Sequence, residues 1–156
     1  MAAEPLISIV FPLKNGMPYL RDAVASLAAQ TYRNFEVSVQ DGESTDGSLE
    51  FLQMVRGLPS MSLVSEPDLG IGQACNRGLS RCRGQIIGTL CTDDMFEPHA
   101  FAEVVRAFEQ HPRCAVLFGS VRFITAAGHP RRLYITRAFE LVRFMQCEWL
   151  ADPPTA

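Results

Sequence analysis

The sequence lacks several features that would indicate particular classes of protein. Its charges nearly balance, with 14 Lys and Arg against 17 Asp and Glu and a formal net charge of −3. Such a balance gives no electrostatic reason to expect nucleic acid as a partner. The longest apolar stretch, residues 6–13, contains Ser8 and Pro12 and is far shorter than the ~20 residues of a membrane-spanning helix. The first five residues include Glu4 and do not resemble a signal peptide.

Metal-binding and redox motifs built from cysteine and histidine are also missing. The chain has 5 cysteines, an odd number, and none forms a CxxC pair, which excludes zinc fingers, thioredoxin-like motifs and c-type haem attachment. The histidines His99, His111 and His129 show no metal-ligand spacing. Scattered cysteines of this kind usually serve as small apolar side chains in proteins of a reducing compartment. We therefore expect a cytoplasmic protein, for which peripheral attachment to a membrane surface stays open.

Length and hydrophobic patterning predict one α/β domain over residues 1–156. With 156 residues, 47% of them hydrophobic, the chain can bury a sizeable core. Short apolar runs predict strands at Ile7–Phe11 (stopped by Pro12), Phe35–Val39, Met61–Val64, Gln85–Leu90, Cys114–Phe118 and Val121–Thr125. Helical spacing predicts helices at Pro18–Gln30, Ser48–Val55, Gly70–Arg83, Pro98–Gln110 and Arg137–Cys147. This alternation predicts a three-layer α/β/α fold with a mostly parallel central sheet.

Polar loops follow three of the predicted strands and mark a candidate site. They begin at Pro12, at Asp41 and at Thr92, and each carries an amide or carboxylate side chain. Ligands of open α/β sheets bind outside the carboxyl ends of the strands. Parallel topology therefore predicts that these loops meet at one edge of the sheet, although they are far apart in sequence.

Asp93-Asp94 is the sharpest chemical feature of these loops. Mg²⁺ and Mn²⁺ prefer oxygen ligands, and a Mg²⁺ site commonly uses one or two carboxylates together with water and substrate phosphates. Adjacent side chains of an extended segment point apart, so one aspartate would bind metal and the other would serve another purpose. An acidic pair alone is a weak signal, and on this evidence solvation or capping of the next helix is the favoured explanation.

Each of the other polar residues can be interpreted either as a ligand contact or as an ordinary structural or solvated residue. Asp41 can accept hydrogen bonds from a ribose or a base, but Asp-Gly is also an ordinary turn. For Ser44 and Asp46, a role at the N-cap of the next helix is a better explanation than contact with a ligand. Arg77 and Lys14 could pair with phosphate, although solvation is the simpler interpretation for Lys14. Gly70-Ile71-Gly72 lacks the third glycine and the position of a dinucleotide motif, which excludes NAD, yet a helix N-terminus there would still favour a diphosphate.

Taken together, these segments resemble the family 2 glycosyltransferases, which use nucleotide-sugar donors on a GT-A fold. The opening strand Ile7–Pro12 with Asn15 is similar to theirs. So are Ser26–Glu36, which matches S-L-x-x-Q-T-Y-x-N-F-E, and Asp41–Gly47, which matches D-G-x-S-T-D-G. Glu66–Gly78 matches E-P-D-x-G-I-x-x-A-x-N-[KR]-G, and Thr92-Asp93-Asp94 takes the place of the family's acidic metal-binding motif.

The resemblance implies a role for each matching residue. Pro12 and Asn15 would line the nucleotide pocket, and Asp41 would contact the base, most often uracil. Asp93 would approach the ribose, Asp94 would ligate Mg²⁺ or Mn²⁺, and Arg77 would lie near the donor. The expected activity is metal-dependent, inverting transfer of a sugar, from UDP-sugar above all, to a glycan or lipid-linked acceptor in polysaccharide or surface-glycan synthesis.

The match ends before the general base that such a transfer needs. In the family that base follows well downstream of the acidic pair, and no carboxylate near the end of this chain lies in a comparable motif. We therefore expect a donor-binding half whose acceptor half and catalytic base lie beyond the chain, and a homodimer formed through the surface left uncovered. The alternatives are a non-catalytic nucleotide-sugar-binding remnant of the same fold and a receiver-like signalling domain. The latter would need an acidic pair after the first strand, where this chain has Pro-Leu-Lys.

Overall fold

A computed structural model describes residues 4–134 of the chain. Its first eight elements alternate as predicted, and two consecutive strands follow them: β1 Ile7–Leu13, α1 Leu20–Ala28, β2 Phe35–Asp41, α2 Ser48–Met54, β3 Met61–Ser65, α3 Ile71–Leu79, β4 Ile86–Thr89, α4 Ala100–Gln110, β5 Val121–Ile124 and β6 Pro130–Tyr134. By contacts the chain divides into two compact units, residues 1–110 and 111–156. The first holds β1–β4 with the four helices, and the second holds the β5–β6 hairpin. The predicted helix Arg137–Cys147 lies outside the described residues.

The first unit is built on a parallel sheet with strand order β3-β2-β1-β4. The chain moves outward from β1 to β2 and β3, then returns to place β4 on the other side of β1. The strand order therefore reverses between β1 and β4, and the crevice at such a reversal is where open α/β sheets bind ligands. The predicted α/β class with a mostly parallel sheet is confirmed.

The two faces of this sheet differ in chemistry because its strands alternate. On one face Ile7, Ile9 and Phe11 of β1 belong to a single hydrophobic core with apolar side chains of α1, α2 and α4. On the opposite face α3 lies over β1 and β2, where the hydroxyl of Ser38 donates to the Gly78 carbonyl at 2.8 Å. This second face buries polar side chains, namely Ser8, Glu36, Ser38 and Gln40. Helices thus cover both faces, which completes the predicted three layers.

Some predicted boundaries were wrong. Pro12 does not stop β1, which continues to Leu13. The Val10 carbonyl accepts a hydrogen bond from the β4 side, and the Leu13 carbonyl accepts one from the β2 side. Backbone groups alternate in direction along a strand, so those of Pro12 point to the same side as those of Val10. On that side β4 ends before it reaches Pro12. The missing N–H of Pro12 therefore costs no ladder hydrogen bond. In α3 the residues Ala74 and Gly78 are buried, whereas Leu79 is 48% exposed.

The second unit also departs from the sequence prediction. Cys114–Phe118 is not a strand, because an apolar run becomes one only beside a strand that it can pair with. Val121–Ile124 confirms the last predicted strand to within one residue, and it pairs antiparallel with Pro130–Tyr134, which the sequence prediction missed. The signal that could have found this second strand is Gly128, which adopts a positive φ of 77° in the intervening turn.

Glu36 joins three segments at the amino edge of the sheet. Its carboxylate accepts hydrogen bonds from the Ser8 hydroxyl at 2.7 Å and from the backbone N–H of Arg83 at 2.7 Å, and it pairs with the Arg83 guanidinium. Burial by itself would raise the pKa of this carboxyl, but the hydrogen bonds from Arg83 and Ser8 outweigh it and the pKa is lowered.

Glu36→Gln should therefore destabilise the fold in a pH-dependent way. A carboxyl whose pKa is lowered by folding stabilises the protein above its unfolded-state pKa, and this contribution disappears as pH falls through the folded-state value. We expect a loss of about 1–3 kcal/mol at pH 7, and a smaller difference from the wild type below about pH 4. Urea unfolding at both pH values measures it, with the exposed Glu109→Gln as control. A difference that does not change with pH would contradict the assignment.

Candidate functional site

The carboxyl edge of the sheet gathers the loops that follow β1, β2, β3 and β4. The loops after β1 and β2 are joined by hydrogen bonds along their length. Asn15 donates its backbone N–H to the Ser44 hydroxyl at 2.8 Å and accepts the Thr45 N–H on its side-chain oxygen at 2.9 Å. The Gly42 N–H donates to the Leu13 carbonyl at 2.8 Å. Asn15 therefore holds two predicted site segments together, a role that the sequence did not reveal.

Asp46 extends this junction toward the start of α2. Its carboxylate accepts the Met17 N–H at 2.8 Å and the Ser48 N–H at 3.1 Å. Although burial would raise the pKa of Asp46, the hydrogen bonds from Ser48 and Met17 lower it. Gly47 occupies the N-cap position, not Asp46 as predicted. Asp46, one residue earlier, still accepts the first N–H of the helix. Ser44 does not cap this helix and bonds to Asp41 instead.

Asp41 lies at the end of β2 and is fully buried. Oδ1 accepts the Ser44 hydroxyl at 2.5 Å, and Oδ2 accepts the Ser65 hydroxyl at 2.6 Å. The carboxylate thereby links the end of β2 to the end of β3 and to its own loop. Sequence reasoning missed Ser65, whose position directly opposite Asp41 follows from the β2–β3 register. A contact between Asp41 and a nucleotide base stays a prediction.

The loop after β3 reaches over the β2 loop at Gly42. A Cβ atom at Gly42 would lie 2.6 Å from Oδ2 of Asp68, so a larger residue would push the Asp68 side chain away. Asp68 also accepts the Gly70 N–H at 2.8 Å, where α3 begins. Asp68 belongs to the E-P-D motif, which signalled its importance without indicating that it lies over Gly42.

Arg77 holds this same loop from α3. Its guanidinium donates to the Pro67 carbonyl at 2.7 Å and lies 3.2 Å from a carboxylate oxygen of Glu66. Gln40, fully buried at the end of β2, donates to that same oxygen at 3.3 Å. Arg77 is therefore placed at the loop after β3, and its contact with a donor stays a prediction.

The loop after β4, residues 91–99, is here called the acidic loop because it carries Asp93 and Asp94. It begins with a turn in which the Asp94 N–H donates to the Cys91 carbonyl at 3.2 Å, so the pair is not on an extended segment as expected. Both aspartates are exposed. Loss of solvent around the carboxyl and the negative charge of Asp93 together raise the pKa of Asp94. Two carboxylates close enough to repel each other would be stabilised by a cation.

The acidic loop touches the β1 loop at a small residue. A Cβ atom at Gly16 would lie 2.9 Å from Cγ2 of Thr92, so the backbone at Gly16 and the side chain next to Asp93 are packed together. The loops that follow β1, β2 and β4 thus meet as predicted, through the bonds of Asn15 to Ser44 and Thr45 and the packing of Thr92 on Gly16. Among residues 4–134 no group of three or more His, Cys, Asp or Glu side chains is arranged to hold a metal ion.

An open α/β sheet with polar loops at its topological reversal is an architecture that binds ligands there, and solved glycosyltransferases share this fold. S. aureus TarS, solved in complex with UDP-GlcNAc, shares the fold with a TM-score of 0.63 and 24% identity, over 68% of this chain and 32% of that one. The Pyrobaculum calidifontis mannosyltransferase PcManGT, solved with GDP-Man and Mn²⁺, does so with a TM-score of 0.58 and 24% identity, over 69% and 32%.

The family model for glycosyl transferase family 2 matches residues 8–152, and the chain belongs to that family. It is 33% identical to the O-antigen biosynthesis protein RfbC of Myxococcus xanthus over 83% of its length and 10% of that protein's. It is 34% identical to the chondroitin synthase of Escherichia coli, over 80% of this chain and 18% of that one. The chain thus spans a fifth or less of these two relatives. Within residues 4–134 no helix is long and apolar enough to cross a membrane.

Proposed function

We propose that this chain binds the donor in an enzyme that transfers a sugar from a nucleoside-diphosphate sugar, preferentially a UDP-sugar, to an acceptor hydroxyl. The observation that carries this proposal is the junction of loops at the reversal between β1 and β4, where Thr92, directly before the acidic pair, packs on Gly16. Family membership supports the reaction class, and the relatives named for chondroitin and O-antigen synthesis support a glycan product.

Each loop has a distinct task in this proposal. Pro12, Asn15 and Asp41 border the nucleotide, with Asp41 reading the base, for which uracil is the first candidate. Asp93 faces the ribose, and Arg77 approaches the donor from α3. Because Asp41 is fully buried and bonded to Ser44 and Ser65, base recognition needs one of these hydroxyls to turn toward the ligand or to relay the contact.

A divalent cation fits the acidic loop by the chemistry of its ligands. Asp94 offers hard oxygen ligands on an exposed side chain, and the diphosphate and water would complete the shell of Mg²⁺ or Mn²⁺. Partial loss of solvent and the negative charge of Asp93 raise the pKa of Asp94, and such an ion would relieve the repulsion between the two carboxylates. We assign Asp94 as the metal ligand. When bound, the ion supplies positive charge to the leaving diphosphate.

The proposed transfer is a single displacement with inversion at the anomeric carbon. The acceptor hydroxyl, on a glycan or a lipid-linked glycan, must lose a proton as it attacks, which requires a general base. We assign no described residue to that role.

The location and the oligomeric state of the protein are further proposals. We propose that it lies in the cytoplasm, including at the membrane surface. We also propose a homodimer formed beside β4, where Ile87 is 46% exposed. Light scattering at high protein concentration tests the dimer.

A thermal-shift panel tests the donor proposal. UDP with Mn²⁺ should raise Tm more than GDP, CDP or ADP, because a ligand that binds only the folded state stabilises it by about 2.7 kcal/mol at 100 times its Kd. Inorganic diphosphate with Mn²⁺ separates recognition of the base from binding of the phosphates. The proposal fails if no nucleoside diphosphate raises Tm at millimolar concentration. Binding without donor hydrolysis or transfer would favour the non-catalytic alternative.

A further inference from the structure

We propose that Gln30 is a positioning residue for the acidic loop, and that it holds Asp93 and Asp94 in the geometry that binds the metal and the diphosphate. Gln30 lies just beyond the end of α1, far from these aspartates in sequence, and only 2% of it is exposed. This inference rests on the proposed function and adds to it a residue outside the donor-binding loops.

Both polar atoms of the Gln30 side-chain amide are hydrogen-bonded. Its Nε2 donates to the Glu97 carbonyl at 2.9 Å and to the Ser26 carbonyl at 3.1 Å. Its Oε1 accepts the backbone N–H of Phe101 at 3.1 Å. One buried amide therefore ties α1 to the last part of the acidic loop and to the first turn of α4.

Neighbours of Gln30 reinforce this anchor. The Thr31 N–H donates to the Pro98 carbonyl at 3.0 Å, and the Phe96 N–H donates to the Ser26 hydroxyl at 3.2 Å. The rings of Phe96 and Phe101 meet edge to face with centroids 5.1 Å apart. Residues 96–101 are thus fixed on α1, whose Leu20, Val24 and Leu27 belong to the core.

The acidic pair lies between this anchor and a second fixed point. On the other side the Leu90 N–H donates to the Val10 carbonyl at 3.1 Å, and Thr92 packs on Gly16. Asp93, Asp94 and Met95 are the short segment between the two. With both ends held, the carboxylates lose little freedom when they bind a cation, and such supporting contacts typically change metal affinity 10–100-fold. Releasing one end should therefore weaken binding without removing a ligand.

Gln30→Met tests the proposal, because methionine keeps the length of the side chain and removes the three hydrogen bonds. Amide exchange in residues 94–101 should become at least tenfold faster in the free protein, and the Kd for UDP with Mn²⁺ should rise at least fivefold. Gln85→Met is the matched control, since Gln85 accepts the Leu6 N–H at 2.7 Å at the opposite edge of the sheet. Glu36→Gln controls for general destabilisation, which would not raise exchange selectively in the acidic loop.

The outcomes separate this inference from the proposed function. If the wild type binds UDP with Mn²⁺ but Gln30→Met has the same exchange or the same Kd, the positioning role is refuted and the proposed function stands. If the wild type shows no binding at all, the proposed function fails and the inference fails with it. Ser26→Ala, which removes the acceptor for Phe96, should loosen the same segment by a smaller factor.

Discussion

Asp94→Ala should raise the Kd for UDP in the presence of Mn²⁺ by about 100-fold or more. Even residues that merely support a metal ligand change affinity 10–100-fold, so loss of the ligand itself should cost at least as much. Asp94 is exposed, and its carboxyl is destabilised by Asp93, so the substitution should leave the fold intact and remove a repulsion in the free protein. Isothermal titration of UDP measures the effect.

Two comparisons make this measurement specific. In EDTA the wild type and Asp94→Ala should bind UDP equally weakly, because the carboxylate then has no cation to hold. Asp22→Ala removes an exposed carboxylate from the first turn of α1 and should bind UDP with Mn²⁺ as the wild type does. Equal affinity of the wild type and Asp94→Ala in Mn²⁺ would refute the assignment of Asp94 as metal ligand.

Phe11→Ala should destabilise the protein by about 3–5 kcal/mol, the usual cost of truncating a buried aromatic side chain. Phe11 is 0% exposed, in the strand that lies between β2 and β4, and it belongs to the core shared with the helices. Because total stabilities of about 5–15 kcal/mol are usual, this loss should remove between about a fifth and nearly all of the stability.

Urea unfolding followed by circular dichroism measures this loss. Met54→Ala is the control, since its side chain is 69% exposed at the end of α2 and the change should stay within about 0.5 kcal/mol. A loss below about 1 kcal/mol for Phe11→Ala would mean that this face of the sheet is not the packed core described above.

The order of strands and helices was predictable because each element carries its own local signal. β-branched and aromatic runs gave the first four strands, and helical spacing gave the first four helices, with errors at their ends. The acidic pair and the polar loops were also visible, since strand ends in an α/β chain are recognisable without knowing what lies beside them. Cys114–Phe118 shows the limit, because its apolar composition did not create a partner strand.

Whether the polar side chains of the sheet are buried could not be predicted from the sequence. Alternation in β2 distinguishes Glu36, Ser38 and Gln40 from their apolar neighbours, but it cannot tell whether their face meets solvent or a helix. The structure covers that face with α3 and satisfies the polar groups internally, as in the bond from Ser38 to the Gly78 carbonyl. Burial depends on which element returns over the sheet, which is a property of the whole chain.

The sequence by itself determined the fold class, the resemblance to the family and the residues from which a donor site can be built, because these depend on residue type, spacing and order. The tertiary structure alone decided how those residues are held. It placed Ser65 on Asp41, packed Gly16 against Thr92 and tied Gln30 to the acidic loop. Such contacts join residues from different elements, and their geometry follows from strand register and helix packing, which local sequence does not specify.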